Sequence, residues 1–136
     1  MERPILMKRC LIIICGLLLL VNQPAQAADP MLSMLPVSTP MLTPGKVERK
    51  TLKQHVSTPL FIVGDDALSH RWLSEKRDYL ARIGAKGMVV NVRTPAGWHR
   101  MTQYGLSVYP VAGDDFARAF GLSHYPVLIE GREVKQ

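Results

Sequence analysis

Two pairs of adjacent carboxylates have the clearest capacity for chemistry in this sequence. Asp65-Asp66 follows an apolar run, and Asp114-Asp115 follows a glycine. A metal site, or a catalytic acid with its base, needs carboxylates that lie close together. Adjacent side chains point apart, so such a site would combine one residue from each of the two pairs. Both pairs stand where helices are predicted to begin, where a carboxylate accepts hydrogen bonds from free N–H groups. We interpret them as helix-capping residues, and a site built from both loops at the carboxyl end of the sheet is the alternative.

The other residue types offer little support for catalysis. The chain has four histidines, none with the H-E-x-x-H spacing of a zinc site: His55, His70, His99 and His124. No serine lies in a G-x-S-x-G context, and the glycines follow neither the G-x-G-x-x-G nor the Walker pattern. The sequence therefore predicts no catalytic residue, no metal and no cofactor.

The N-terminus has the pattern of a secretory signal peptide. Basic residues precede the apolar run Cys10 to Val21, and Ala25-Gln26-Ala27 supplies an A-x-A cleavage site. The apolar run is shorter than the roughly 20 residues that cross a bilayer. We expect residues 1–27 to be removed on export to the periplasm, with membrane contact only before cleavage.

Export changes the cysteine count and the net charge. Cys10 and Cys15 are the only cysteines, so the mature chain has no thiol for redox chemistry. The whole chain carries 17 Lys and Arg against 11 Asp and Glu, or +6; removing three basic residues and one acidic residue with the signal leaves 14 against 10, or +4. This excess is spread from Lys46 to Lys135 without a run of five or more like charges, so no direct nucleic-acid binding is expected.

Residues 28–59 are predicted to form an extended, proline-rich arm. Half of the ten prolines lie here, among Met and Leu residues: Pro30, Pro36, Pro40, Pro44 and Pro59. Proline at this density prevents a long helix or a central strand. Two interpretations remain open, a disordered linker and an arm that docks on a partner.

Residues 60–136 alternate strand and helix patterns. Strands are predicted at Leu60–Val63, Met88–Val92, Leu106–Val111, Val127–Ile129 and Glu133–Gln136. Helices are predicted from Asp65-Asp66 to Gly84, from Pro95 to Tyr104 and from Asp114 to Gly121. The order β-α-β-α-β-α-β-β indicates an α/β domain whose sheet is mostly parallel, covered by helices, and closed by a hairpin at Gly131.

The segment Asp114 to Ile129, DDFARAFGLSHYPVLI, resembles the cis-proline segment of thioredoxin-like folds. Pro126 opens a strand, a position that needs no N–H donor, and Tyr125-Pro126 is a place for a cis peptide. With the signal peptide, the entry LFIVGDD and the absent thiols, the region Leu60–Ile129 resembles exported proteins encoded in integrating conjugative elements. It is also similar to the TrbC-type periplasmic pilus-assembly proteins of F-like type IV secretion.

This resemblance implies a thioredoxin-like domain without redox activity that acts as a structural or assembly component of a conjugation machine. In such domains the backbone before the proline can pair with an extended segment of another chain. Five residues are then expected at the partner-binding groove: Trp98, Tyr104, His124, Tyr125 and Pro126. The expected partners are other envelope proteins of the conjugation machinery.

The sequence therefore favours a non-enzymatic periplasmic component of conjugative type IV secretion or pilus assembly, acting in DNA transfer. The alternative is a small periplasmic metal-dependent enzyme that uses the Asp65-Asp66 and Asp114-Asp115 loops.

Overall fold

The computed structural model describes residues 29–136. The predicted signal peptide, residues 1–27, lies outside the described residues and stays a prediction. The strands are β1 Thr43–Pro44, β2 Lys50–Gly64, β3 Lys86–Asn91, β4 Ser107–Pro110, β5 His124–Tyr125 and β6 Val127–Lys135. The α-helices are α1 Ala67–Arg82, α2 Pro95–Thr102 and α3 Asp114–Phe120, and a 3-10 helix spans Pro30–Met34.

The main sheet has the order β4-β3-β2-β6. β2, β3 and β4 are parallel, and β6 is antiparallel to β2. A second sheet of two strands joins β1 to β5 in parallel. The predicted α/β class, with a thioredoxin-like sheet covered by helices, is confirmed.

Local signals in the sequence account for the helix ends. The Asp66 carboxylate caps α1 by accepting from the Ser69 N–H at 2.8 Å, and Thr94 caps α2 with Pro95 at its first position. Gly121 ends α3 in the left-handed conformation at φ 63°. One detail differs, since the residue before α3 is Gly113 without a side-chain cap, and Asp114 lies in the first turn.

Alternate residues of the sheet are buried on its two faces. One face packs Phe61, Val63, Val89 and Leu128 against α1 and α2, and the other packs Ile62, Val90, Val127 and Ile129 against α3. Strands that are buried on both sides read as continuous apolar runs, which is why β2 and β3 were visible in the sequence.

The proline-rich arm belongs to the fold. Val37 and Leu42 are 7% and 1% exposed, and Val37 exchanges two backbone hydrogen bonds with Val92, at 2.8 and 3.1 Å. The boundary predicted at residue 60 falls inside β2, which begins at Lys50. The arm is therefore neither a separate segment nor a disordered linker, because it packs on its own domain.

The last strand folds back on itself. A straight strand of nine residues extends about 30 Å, yet the Gln136 Nε2 donates to the Pro126 carbonyl at 3.0 Å. Gly131, at φ 62°, lies between the two halves. The turn predicted at Gly131 is thus a bend within one continuous strand, β6, instead of a loop between two strands.

Candidate functional site

A cavity of about 370 Å³ opens where β2 and β3 end. Ligand sites of open parallel sheets lie at this carboxyl edge. The strands and the following segments contribute Asp65, Asn91, Arg93, Arg100 and Tyr125, and the arm contributes the facing wall from Val37 to Pro44. This cavity is the candidate functional site and is called the arm cavity below.

Asp65 is held by a two-pronged contact with Arg100. Arg100 Nε donates to Oδ1 at 3.2 Å and Nη2 donates to Oδ2 at 2.8 Å. The Arg100 hydrogen bond lowers the pKa of Asp65, against burial, which raises it, and a hydrogen bond from His70 lowers it further. The Asp65 carboxylate is therefore ionised and already matched by a cation.

His70 extends this network to the end of α2. Its Nε2 lies 2.8 Å from Asp65 Oδ1, and its Nδ1 lies 2.6 Å from the Tyr104 Oη. The rings of His70 and Tyr104 are 5.8 Å apart between centroids. These contacts connect the start of α1 to α2, and both ring nitrogens of His70 have a partner.

Asn91 joins three segments at the end of β3. Its Oδ1 accepts from the Thr39 N–H at 2.7 Å, and its Nδ2 donates to the Leu42 carbonyl at 3.1 Å and to the Tyr125 Oη at 3.0 Å. Burial raises the pKa of the Tyr125 phenol, which stays protonated at neutral pH. Two of these three hydrogen bonds hold the arm, and the third holds Tyr125.

The predicted partner groove before Pro126 is occupied by the chain itself. β1 pairs with β5 in parallel, with Thr43 opposite His124 and Pro44 opposite Tyr125. The Thr43 N–H donates to the Ser123 carbonyl at 3.2 Å, and the Gly45 N–H donates to the Tyr125 carbonyl at 2.9 Å. Main-chain pairing of an extended segment was expected at this place, but the segment is the chain's own arm.

The burial of the predicted groove residues corrects the sequence-based assignment. Trp98 is 1% exposed and Tyr125 is 2% exposed, and Pro126 is buried. Tyr104 is half-buried in the network with His70, and His124 alone of the five is exposed. These residues shape the core and the arm contact, and three of them offer no surface to a partner.

The two carboxylate pairs have separate structural contacts. Asp66 caps α1, whereas Asp114 Oδ1 accepts from the Met41 N–H at 3.3 Å and Asp115 pairs with Arg118 at 2.8 Å. Within residues 29–136, no group of three or more His, Cys, Asp or Glu side chains is placed to hold a metal ion. The carboxylates of both pairs thus make structural contacts of their own.

Asn91, Thr39 and Arg100 were missed by the sequence reasoning. Thr39 is 2% exposed, and its hydroxyl donates to the Val90 carbonyl at 2.7 Å and accepts from the Gly113 N–H at 2.9 Å. A polar residue at the end of a buried strand, as Asn91 is, was the one available signal.

Comparisons with known proteins give one match. A family model described as "Protein of unknown function (DUF2859)" matches residues 20–134. No curated protein and no solved structure matches the chain. Among residues 29–136, none of the helices has the length and apolar character needed to cross a membrane.

Proposed function

We propose a role for this chain, which belongs to the DUF2859 family of proteins of unknown function. The role is non-enzymatic and consists of binding partner proteins of the cell envelope. Its setting is the periplasm, in a conjugative type IV secretion or pilus-assembly machine of an integrating conjugative element. The sequence resemblance over Leu60–Ile129 supports that setting.

One observation carries the binding role. The polar side chains at the carboxyl edge of the sheet are used to hold elements together: Asp65 by Arg100 and His70, and Asn91 by Thr39, Leu42 and Tyr125. A general acid or base works best with a pKa near the working pH, and the pKa of Asp65 is lowered instead. These hydrogen bonds fix the shape of the sheet edge, and a surface of fixed shape suits a protein that binds partners.

The exposed rim of the arm cavity is basic. Arg93 is exposed and makes no ion pair within residues 29–136, and Arg100 keeps about half of its side chain exposed while it pairs with Asp65. A charged rim steers an oppositely charged partner and contributes selectivity. The proposed partner surface therefore includes this rim in place of the buried groove residues.

A mating assay tests the proposal. Deletion of the coding sequence from the mobile element is expected to reduce DNA transfer from donor cells, and the full chain supplied separately is expected to restore it. A chain without residues 1–27, the predicted signal peptide, is expected to fail. Normal transfer from the deletion strain would remove the proposed role.

The metal-dependent enzyme is separated by metal analysis of the purified protein. That alternative expects a stoichiometric divalent ion which is lost on Asp65→Asn or Asp114→Asn replacement. The binding role expects metal content below one tenth of the protein concentration in all three proteins.

A further inference from the structure

A second cavity, of about 500 Å³, lies between α1 and β6. Its helix wall is formed by Trp72, Glu75, Lys76 and Tyr79, whose spacing of three and four residues places them on one face of α1. Leu128, Lys135 and Gln136 form the opposite wall, and Arg49 lies directly before β2. We call it the α1–β6 cavity; its volume is within the range of sites that bind small groups.

The inner wall of the α1–β6 cavity is apolar but contains one unmet donor. Trp72 is 6% exposed and Leu128 is 3% exposed. The Trp72 Nε1–H is buried and has no hydrogen-bond acceptor among the described residues. Such groups are rare in folded proteins, because a buried donor without an acceptor is unfavourable. That nitrogen has almost no accessible surface, so Trp72 offers an occupant of the cavity its apolar ring.

The charges around the α1–β6 cavity favour an anion. Lys135 is matched, since its Nζ lies 2.9 Å from Glu130 Oε1 and 3.7 Å from Glu133 Oε2. Arg49 and Lys76 make no ion pair within residues 29–136, and Glu75 is the one carboxylate of the lining, also unpaired there. Two unmatched cations against one carboxylate leave a net positive rim.

We propose that the α1–β6 cavity binds a segment of a partner protein that presents an apolar side chain next to a carboxylate. The side chain contacts Trp72 and Leu128, and the carboxylate lies near Arg49 and Lys76. The proposal rests on the partner-binding role and adds the chemistry of the partner.

Fragment binding followed by NMR tests the cavity without any partner. The probes are N-acetylphenylalanine, which has the apolar group and the carboxylate, its amide, which lacks the carboxylate, and acetate. The chain has two tryptophans, so the Trp72 indole N–H signal is identified by its loss in Trp72→Phe. N-acetylphenylalanine is expected to shift that signal with a dissociation constant on the order of 1 mM. The amide is expected to bind about threefold to tenfold more weakly, and acetate to leave the signal in place.

Lys76→Glu and Arg71→Glu form the matched pair of variants. Both reverse a charge on α1, but Arg71 is exposed and does not line the cavity. Lys76→Glu is expected to weaken N-acetylphenylalanine binding about threefold to tenfold, and Arg71→Glu to leave it unchanged.

Three outcomes would overturn the assignment: no shift of the Trp72 signal, equal binding of acid and amide, or tighter binding of dihexanoylphosphatidylglycerol, which would indicate a lipid. Each of these leaves the mating assay unaffected. Failure of the cavity and failure of the proposed function are therefore distinguishable.

Discussion

Asn91 donates a hydrogen bond from Nδ2 to the Tyr125 Oη at 3.0 Å, across 34 residues of sequence. The same nitrogen donates to the Leu42 carbonyl at 3.1 Å. One amide thus connects the end of β3, the residue before Pro126 and the arm. These hydrogen bonds fix the relative positions of the three segments at the carboxyl edge of the sheet.

We predict that Asn91→Ala lowers the free energy of unfolding by about 2–3 kcal/mol, because it leaves the Thr39 N–H and the Leu42 carbonyl without partners. Urea denaturation of the purified protein measures the change. Gln103→Ala, at an exposed position, is the control and is expected to stay within about 0.5 kcal/mol. A loss at Asn91 as small as the control would show that the arm is not held by this amide.

Leu42→Ala tests whether the arm is part of the core. Leu42 is 1% exposed, and large-to-small changes at such positions cost about 2–5 kcal/mol. Its neighbour Met41 is 41% exposed, so Met41→Ala is expected to change stability by at most about 0.5 kcal/mol. Equal, small effects of the two substitutions on the urea midpoint would contradict the docked arm.

Asp65 gives the protein a pH dependence with a defined sign. The pKa of Asp65 is held below its usual value, chiefly by the Arg100 hydrogen bond. The folded state therefore gains stability above about pH 4, the unfolded value, and loses it as the pH falls through the lowered pKa. Asp65→Asn is expected to cost about 1–2 kcal/mol at pH 7 and to reduce the fall in melting temperature between pH 6 and pH 2.

Asp78→Asn is the control for this pH series, because its side chain is 96% exposed. It makes the same chemical change without the buried pairing. If Asp65→Asn and Asp78→Asn give the same pH profile as the unmodified chain, the Arg100 pairing does not stabilise the fold.

A close approach between Gly97 and Asp65 allows a test by double replacement. A Cβ at Gly97 would lie 2.7 Å from Asp65 Oδ2, which Arg100 holds in place. Gly97→Ala is expected to cost about 1 kcal/mol in the unmodified chain, although alanine is ordinarily favoured over glycine inside a helix. In an Asp65→Ala background the clash is gone, and the same substitution is expected to be neutral or stabilising. Additive effects in thermal denaturation would rule out the contact.

Much of the domain was predictable because its signals are local. Gly84 and Gly121 end helices with positive φ, Thr94 and Pro95 begin one, and β2 and β3 appear as apolar runs. The fold class follows from that alternation.

The arm and the candidate site were not predictable, because they depend on long-range contacts. Prolines remove any periodicity from residues 30–59, so nothing in the pattern shows that Val37 and Leu42 are buried. The Thr39 to Asn91 hydrogen bond spans 52 residues, and no local pattern links the two positions. The assignment of Trp98 and Tyr125 to a surface fails because no pattern in the sequence indicates that the arm packs over this edge of its own domain.

Site-specific photo-cross-linking in donor cells tests the partner-binding role most directly. A photoreactive amino acid is placed at Arg93 on the rim of the arm cavity, at Lys76 in the α1–β6 cavity, and at Lys86, exposed at the opposite end of β3. The account predicts discrete cross-links to envelope proteins of the conjugation machinery from position 93, position 76 or both, and none from position 86. Cross-links from 93 alone would retain the binding role and reject the α1–β6 cavity. No cross-link to any such protein, in cells that transfer DNA normally, would contradict the account.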